Sequence, residues 1–296
     1  MFKGIYTALI TPFKNGKIDE KAFTDFVEWQ ISEGVHGLVP CGTTGESPTL
    51  SYEEHNRLIS LCVEVAKGRA RVLAGTGANS TDEAIMLTKH AKAAGADGAL
   101  IVSPYYNKPS SEGIYEHYAA IAQAVDIPIV LYNVPGRSVI DIKDETTARL
   151  AKISNIVGIK DATGDLARVS KLKALVGDKF QQISGEDMTA IAFNVIGGSG
   201  CISVSSNIAP KLCAEIQNLT LEGKYAEALK IHDKLVGLHD VMFIETSPAP
   251  VKYAASLIGK CEPDLRLPLV QPSEESKNKI KKVLKELNIP ITFQNL

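Results

Sequence analysis

The stretch IVGIKDATGD, residues 156–165, sets an apolar, β-branched run directly against Lys160, an acid and a glycine-containing turn. A short apolar, β-branched run bounded by turn residues reads as a strand. Seven more share the pattern: IYTALIT (5–11), HGLVPCG (36–42), RVLAG (71–75), GALIVS (98–103), IPIVLYN (127–133), QQIS (181–184) and CISVS (201–205). Between most of them lie segments of helical spacing. Phe23, Phe26, Val27 and Ile31 mark one stripe, and Leu58, Leu61, Cys62 and Val65 follow the i, i+3, i+4, i+7 rule. Ser51-x-x-Glu54 and Ser80-x-x-Glu83 read as capping boxes, and Gly68 and Gly95 stand where helices end in left-handed backbone. Eight strand–helix units in about 220 residues predict an α/β fold, a closed (β/α)8 TIM barrel, whose usual size is ~250 residues. An open doubly wound sheet is the alternative.

After about residue 222 the β-branched runs stop. EGKYAEALKIHDKLVGLHDVM and KNKIKKVLKEL carry helical patterns instead. The expected organisation is a barrel catalytic domain over residues 1–222 and a C-terminal helical segment over 223–296. In the last helix Ile280, Val283, Leu284 and Leu287 share one face and lysines take the others, which makes the basic run a solvated helix face.

With 32 basic against 34 acidic residues, the chain has no electrostatic footprint for nucleic acid or an anionic membrane. The N-terminus lacks a small-residue cleavage site, and no stretch approaches the roughly 18 apolar residues of a membrane span, so a cytoplasmic location is expected. The five cysteines are scattered singly, without the close pairs of a zinc site or the density of a disulfide scaffold. Six histidines without an H-E-x-x-H or similar cluster give no metal site, and no cofactor motif is present. Carbonyl activation, if this is an enzyme, falls to an amine.

In a barrel the active site lies just beyond the C-terminal ends of the strands. There stand GTTGES (42–47), PYYNKP (104–109), YNVPGRS (132–138), KDATGD (160–165) and GED (185–187). Alternation places Ile156, Gly158 and Lys160 on one face; if that face is inward, Gly158 leaves space below the amine. Desolvation favours the neutral form of an amine, the form a Schiff-base nucleophile needs. A lysine that reaches water or pairs with Asp161 is the ordinary alternative. Tyr132 ends its strand and could relay protons, although most such tyrosines only pack their ring. Thr43 and Thr44, in a glycine-flanked turn, suit a small carboxylate, or bond to their own backbone. The turn lacks P-loop spacing, and GGSG (197–200) precedes its strand and belongs to the opposite end of the barrel. Arg137 follows a Pro-Gly turn that could aim it at a second carboxylate; a plain surface arginine is the alternative. Cys41 lies beside GTTGE without an evident base.

GTTGE, SPYYNKP, YNVPGR and GIKDATGD, in this order and spacing, resemble the dihydrodipicolinate synthase and N-acetylneuraminate lyase superfamily of class I aldolases over nearly the whole chain. The resemblance implies a (β/α)8 barrel with a helical C-terminal segment and an imine between pyruvate and Lys160. GTTGE with Thr44, and Arg137 in YNVPGR, resemble the synthase branch. That branch condenses pyruvate with L-aspartate 4-semialdehyde in diaminopimelate and lysine biosynthesis. By the same resemblance Tyr132, Thr43 and Tyr106 form a proton-relay triad, with Tyr106 reaching in from a neighbouring subunit of a homotetramer built as a dimer of dimers. Thr44, Gly185 and the carbonyl of Ile202 line the pyruvate pocket, and Arg137 binds the second substrate's carboxylate. Ser47, His55, Asn79, Glu83 and Tyr105 match an inhibitory L-lysine site, from whose pattern Pro48 and Tyr52 depart; for Glu83 a capping box is a sufficient reason. Another pyruvate aldolase acting on a sugar acid is the first alternative, and a non-catalytic keto-acid sensor is a remote one.

Overall fold

A computed structural model describes residues 1–292; of the segment expected over 223–296, residues 293–296 lie outside the described residues. Each apolar run supplies one strand: β1 (Gly4–Ala8), β2 (Gly37–Val39), β3 (Arg71–Gly75), β4 (Gly98–Val102), β5 (Ile129–Asn133), β6 (Ile156–Asp161), β7 (Gln181–Ser184) and β8 (Gly200–Ser203). Every neighbouring pair is parallel, and β1 pairs with both β2 and β8, so the sheet closes and the open-sheet alternative falls. The helices that follow the strands are α1 (Glu20–Ser32), α2 (Tyr52–Ala66), α3 (Thr81–Ala94), α4 (Ser111–Ala124), α5 (Asp144–Leu150), α6 (Ala167–Val176), α7 (Ala190–Val195) and α8 (Pro210–Leu221). Three more follow, α9 (Tyr225–Val241), α10 (Ala249–Leu257) and α11 (Glu274–Glu286), and a single helical turn over Pro135–Ser138 carries Arg137. No helix of the described residues is long and apolar enough to cross a membrane.

Period-two alternation divides the strands' side chains between two cores. Phe2, Tyr6, Val39, Leu73, Leu100, Val130, Ile183 and Ile202 fill the interior. Ile101, Ile129, Leu131 and Ile159 face outward onto Ile114, Tyr118, Ile121 and Leu172 of the helical ring.

Two local expectations need correction. In β6 the register against β5 shifts between Ile129 and Val130, so that Ile129 lies opposite Ile156 but Val130 opposite Gly158. Val157 is the extra residue of a bulge. Ile156 consequently joins the outer core, while Lys160 lies opposite Tyr132 on the inner face. Bulges of this kind re-aim side chains beside active sites. Nor does Gly158 provide room below the amine: a Cβ there would run into the carbonyl oxygen of Gln181, and the glycine lets β7 approach β6 closely.

The capping box of α2 is complete, with Ser51 accepting from Glu54 N at 3.2 Å and Glu54 accepting from Ser51 N at 2.9 Å. In α3 only half exists. Ser80 accepts from Glu83 N, but the Glu83 carboxylate does not return to Ser80, so capping does not account for that side chain. In α11 Ile280 and Leu284 are fully buried, Val283 and Leu287 partly, as their spacing predicts. Helix α10 shows no such spacing because nearly all of its faces are buried, which leaves no polar stripe to read.

Candidate active site

Lys160 and Tyr132 meet at the C-terminal rim of the barrel. The Lys160 Nζ stands 4.1 Å from the centre of the Tyr132 ring, and the two residues are 7% and 8% exposed. Among the described residues no carboxylate lies within ion-pair distance of this amine. Asp161, its alternative partner, is committed elsewhere: its Oδ1 accepts from Thr163 N and Oγ1 at 2.7 and 2.5 Å, and its Oδ2 lies 3.4 Å from Arg168 Nε. The space beside the lysine stem comes from Gly185, where a Cβ would stand 3.0 Å from Lys160 Cε and 2.7 Å from the Ala162 Cβ.

The 42–47 turn is built from backbone bonds, Gly45 N to Gly42 O at 3.0 Å and Glu46 N to Thr43 O at 3.1 Å, and Thr11 Oγ1 donates to Gly45 O at 2.7 Å. Thr44 is buried and Thr43 half-buried. Among the described residues neither hydroxyl is hydrogen-bonded to the chain, so self-capping threonines do not explain this turn. Ile202 points into the barrel from β8. Burial pushes the Cys41 thiol well up, and its Sγ donates to His55 O, so it is held as a thiol rather than a nucleophilic thiolate.

A polar network behind the two strand ends was not read from the sequence. Asn133, next after Tyr132, donates to Asp141 at 2.8 Å and accepts from Ile142 N at 3.0 Å. Arg168 donates to Asp141 at 2.5 Å and to Ile142 O at 2.6 Å, and also faces Asp144 and Asp161. The network thus joins the residue after Tyr132 to the residue after Lys160 and closes the 134–142 loop that carries Arg137. Burial works against ionisation of Asp141, but Asn133 and Arg168 outweigh it and hold the carboxyl below its usual range. Arg137 is itself exposed, and its Nη2 reaches Ser247 O at 3.4 Å.

Tyr106 is 89% exposed, on a loop where Tyr106 and Lys108 both adopt left-handed backbone, φ 70° and 48°. Non-glycine residues hold such angles at an energetic cost, typically where a functional loop demands it. Behind that loop Asn79 donates to Tyr105 O at 3.2 Å, and Asn107 donates to Asn79 O at 2.8 Å. Glu83 lies close enough to raise the Tyr52 phenol, and it adds to the burial that raises Tyr105. The carboxylate left free by the half-formed cap therefore faces two phenols. Ser47 is half-buried, and His55 is buried with Nδ1 unpartnered among the described residues; desolvation pushes its imidazole down to about 4. Among the described residues no three His, Cys, Asp or Glu side chains gather as metal ligands would.

The whole chain has known counterparts. It is 61% identical over 284 residues to a 4-hydroxy-tetrahydrodipicolinate synthase of Rhodospirillum centenum, covering 96% of this chain and 98% of that protein. Among solved structures it resembles a chloride-inhibited dihydrodipicolinate synthase of Acinetobacter baumannii complexed with pyruvate, with TM-score 0.96, 45% identity and coverage of 98% and 100%. A Cyanidioschyzon merolae enzyme of the same name with lysine bound superposes with TM-score 0.94 at 34% identity, covering 98% of this chain and 99% of that one. Residues 1–287 match the dihydrodipicolinate synthetase family, and with a closed barrel that sets a buried lysine against a tyrosine at its rim, the chain belongs to that family.

Proposed function

We propose that this chain is a class I aldolase-type lyase that condenses pyruvate with L-aspartate 4-semialdehyde in diaminopimelate and lysine biosynthesis. The observation that carries the reading is the buried Lys160 amine, without a carboxylate partner among the described residues, against the Tyr132 ring. Lys160 Nζ attacks the keto carbon of pyruvate and water leaves, giving an imine. The iminium is the electron sink that lets the methyl group lose a proton and become an enamine. The enamine carbon adds to the aldehyde of the second substrate, whose amine then closes the ring on the imine carbon and displaces Lys160. Tyr132, relayed through Thr43 and Tyr106, moves the protons.

Thr44 and the Thr43 backbone grip the pyruvate carboxylate, Gly185 and the Ile202 carbonyl complete that pocket, and Arg137 takes the carboxylate of the second substrate. The exposed, left-handed Tyr106 fits a residue that serves a neighbouring subunit, which supports a homotetramer made of tight dimers. The location proposed is the cytoplasm. Glu83, Asn79 and Tyr105, with Ser47 and His55, form the proposed L-lysine site. Its support is the Glu83 carboxylate, which does not close the α3 cap and lies against the Tyr52 and Tyr105 phenols, and the lysine found in the related enzyme. The working division is a catalytic barrel over 1–222 and a helical segment beyond it.

Borohydride reduction with pyruvate, followed by peptide mass mapping, tests the mechanism. The adduct should sit on Lys160 and vanish in Lys160→Ala. Arg137→Ala should keep the adduct and raise KM for aspartate semialdehyde. An adduct on another lysine, or cleavage of sugar acids without condensation, would refute the reading.

A further inference from the structure

The C-terminal helices reach the substrate turn through one buried ion pair. Lys252, on α10, and Glu46, at the corner of the 42–47 turn, are both fully buried, and Lys252 Nζ donates to Glu46 Oε1 at 2.6 Å. The other carboxylate oxygen accepts from Arg266 N at 3.1 Å. Phe13 lies against both cations, its ring centre 4.2 Å from Lys252 Nζ and 4.4 Å from Arg266 Cζ. The Arg266 guanidinium continues forward to Glu54 Oε2 at 2.6 Å and Thr49 O at 2.8 Å. Glu46 adopts left-handed backbone, φ 57°, a conformation a glutamate holds only where its surroundings impose it.

The consequence reaches Thr43 and Thr44 through the chain. The Glu46 amide donates to Thr43 O, and Gly45 and Ser47 both donate to Gly42 O, so the carboxylate is the outer anchor of the turn that presents the two threonines. Taking two charges out of water is costly, and a pair of apolar residues of similar size serves stability as well or better. Stability is therefore a weak reason for this pair, and its place at the turn points to positioning. We propose that Glu46 and Lys252 are positioning residues that fix the 42–47 turn for the pyruvate carboxylate, making the C-terminal helices part of the first half-reaction. The proposal rests on the reading of Thr43 and Thr44 as the carboxylate grip.

The test is the double variant Lys252→Met with Glu46→Gln. It removes both charges, preserves side-chain length and leaves an acceptor for Arg266 N. The rate of borohydride-trapped adduct is followed against pyruvate concentration, with kcat and KM for aspartate semialdehyde alongside. The expected result is a pyruvate half-saturation raised about tenfold, equivalent to about 1.4 kcal/mol. The value of kcat at saturating pyruvate and KM for the second substrate should stay within about twofold. Glu46→Gln alone should move pyruvate half-saturation the same way by a smaller factor, and it carries the test should the double variant fail to fold. Wild-type pyruvate saturation in either folded variant overturns the proposal. Failure of the parent protein to form any pyruvate adduct would instead overturn the catalytic reading beneath it.

Discussion

Replacing Arg168 by leucine removes the cation that Asp141, Asp144 and Asp161 share. The guanidinium is 12% exposed, and the three carboxylates are 28%, 19% and 10% exposed. Removing one partner of a buried pair costs about 3–5 kcal/mol because it strands the other charge. Here Asp141 and Asp144 retain some water, and Lys143 Nζ lies 3.2 Å from Asp141, which brings the loss down to about 2–3 kcal/mol. Unfolding entropy of about 2.1 cal/mol/K per residue over 296 residues is about 0.6 kcal/mol/K, so the thermal midpoint should fall by about 3–5 °C.

The pH dependence separates this account from a simple loss of packing. In the parent protein the Asp141 carboxyl lies below its usual range. Its stabilisation is complete above the unfolded carboxylate pKa and is lost as pH falls through the folded value. In Arg168→Leu, burial is opposed by Asn133 and Lys143 alone, and the folded pKa rises. A raised carboxyl destabilises at neutral pH and ceases to do so once protonated. The deficit of the variant should therefore be largest near pH 7 and shrink toward about pH 4. Calorimetric melts across that range check it. A deficit independent of pH would refute the electrostatic argument, and one erased by about 0.5 M salt would show that the network behaves as a surface pair.

The remaining predictions concern the lysine stem and the C-terminal helices. Gly185→Ala places a Cβ 3.0 Å from Lys160 Cε; it should slow borohydride trapping by about tenfold or more, since small displacements of a reacting group are costly, while circular dichroism stays that of the parent. Leu284→Ala, at a fully buried position of α11, should cost about 2–5 kcal/mol in stability, read by thermal denaturation, with the adduct formed per folded molecule unchanged.

The groups proposed for chemistry were legible because each sits in a short local pattern. Lys160 ends a β-branched run, Tyr132 ends another, and Thr43 and Thr44 lie between glycines. Strand count gave the barrel for the same reason, since each run is a local signal. What escaped is non-local. Arg168 is an arginine in the first turn of α6, and only the folded chain sets it against acids from three other segments. Lys252 lies 206 residues from Glu46, in a helix whose burial on nearly all faces erased its periodicity. The β6 bulge defeated strict alternation, because one extra residue shifts every side chain before it to the other face. The role given to Gly158 fails for a separate reason, the close approach of β7, and the space it was meant to supply comes from Gly185, one strand away.

The strand period explains how the rim can be both reactive and rigid. Consecutive side chains point to opposite faces while their Cα atoms stay about 3.8 Å apart. Lys160 and Tyr132 point into the barrel, so Asp161 and Asn133 must point out, toward the layer where Arg168 and Asp141 stand. Among the described residues the amine stays clear of carboxylates on the inner face, and the acids that fix its strand are held on the outer one. A carboxylate placed inward would grip Lys160 directly and occupy the nucleophile. Placed one residue later it holds the same backbone without touching the amine, and the same division recurs between Tyr132 and Asn133. For this reason Arg168→Leu should impair both half-reactions together, unlike Lys252→Met with Glu46→Gln, whose effect is confined to pyruvate.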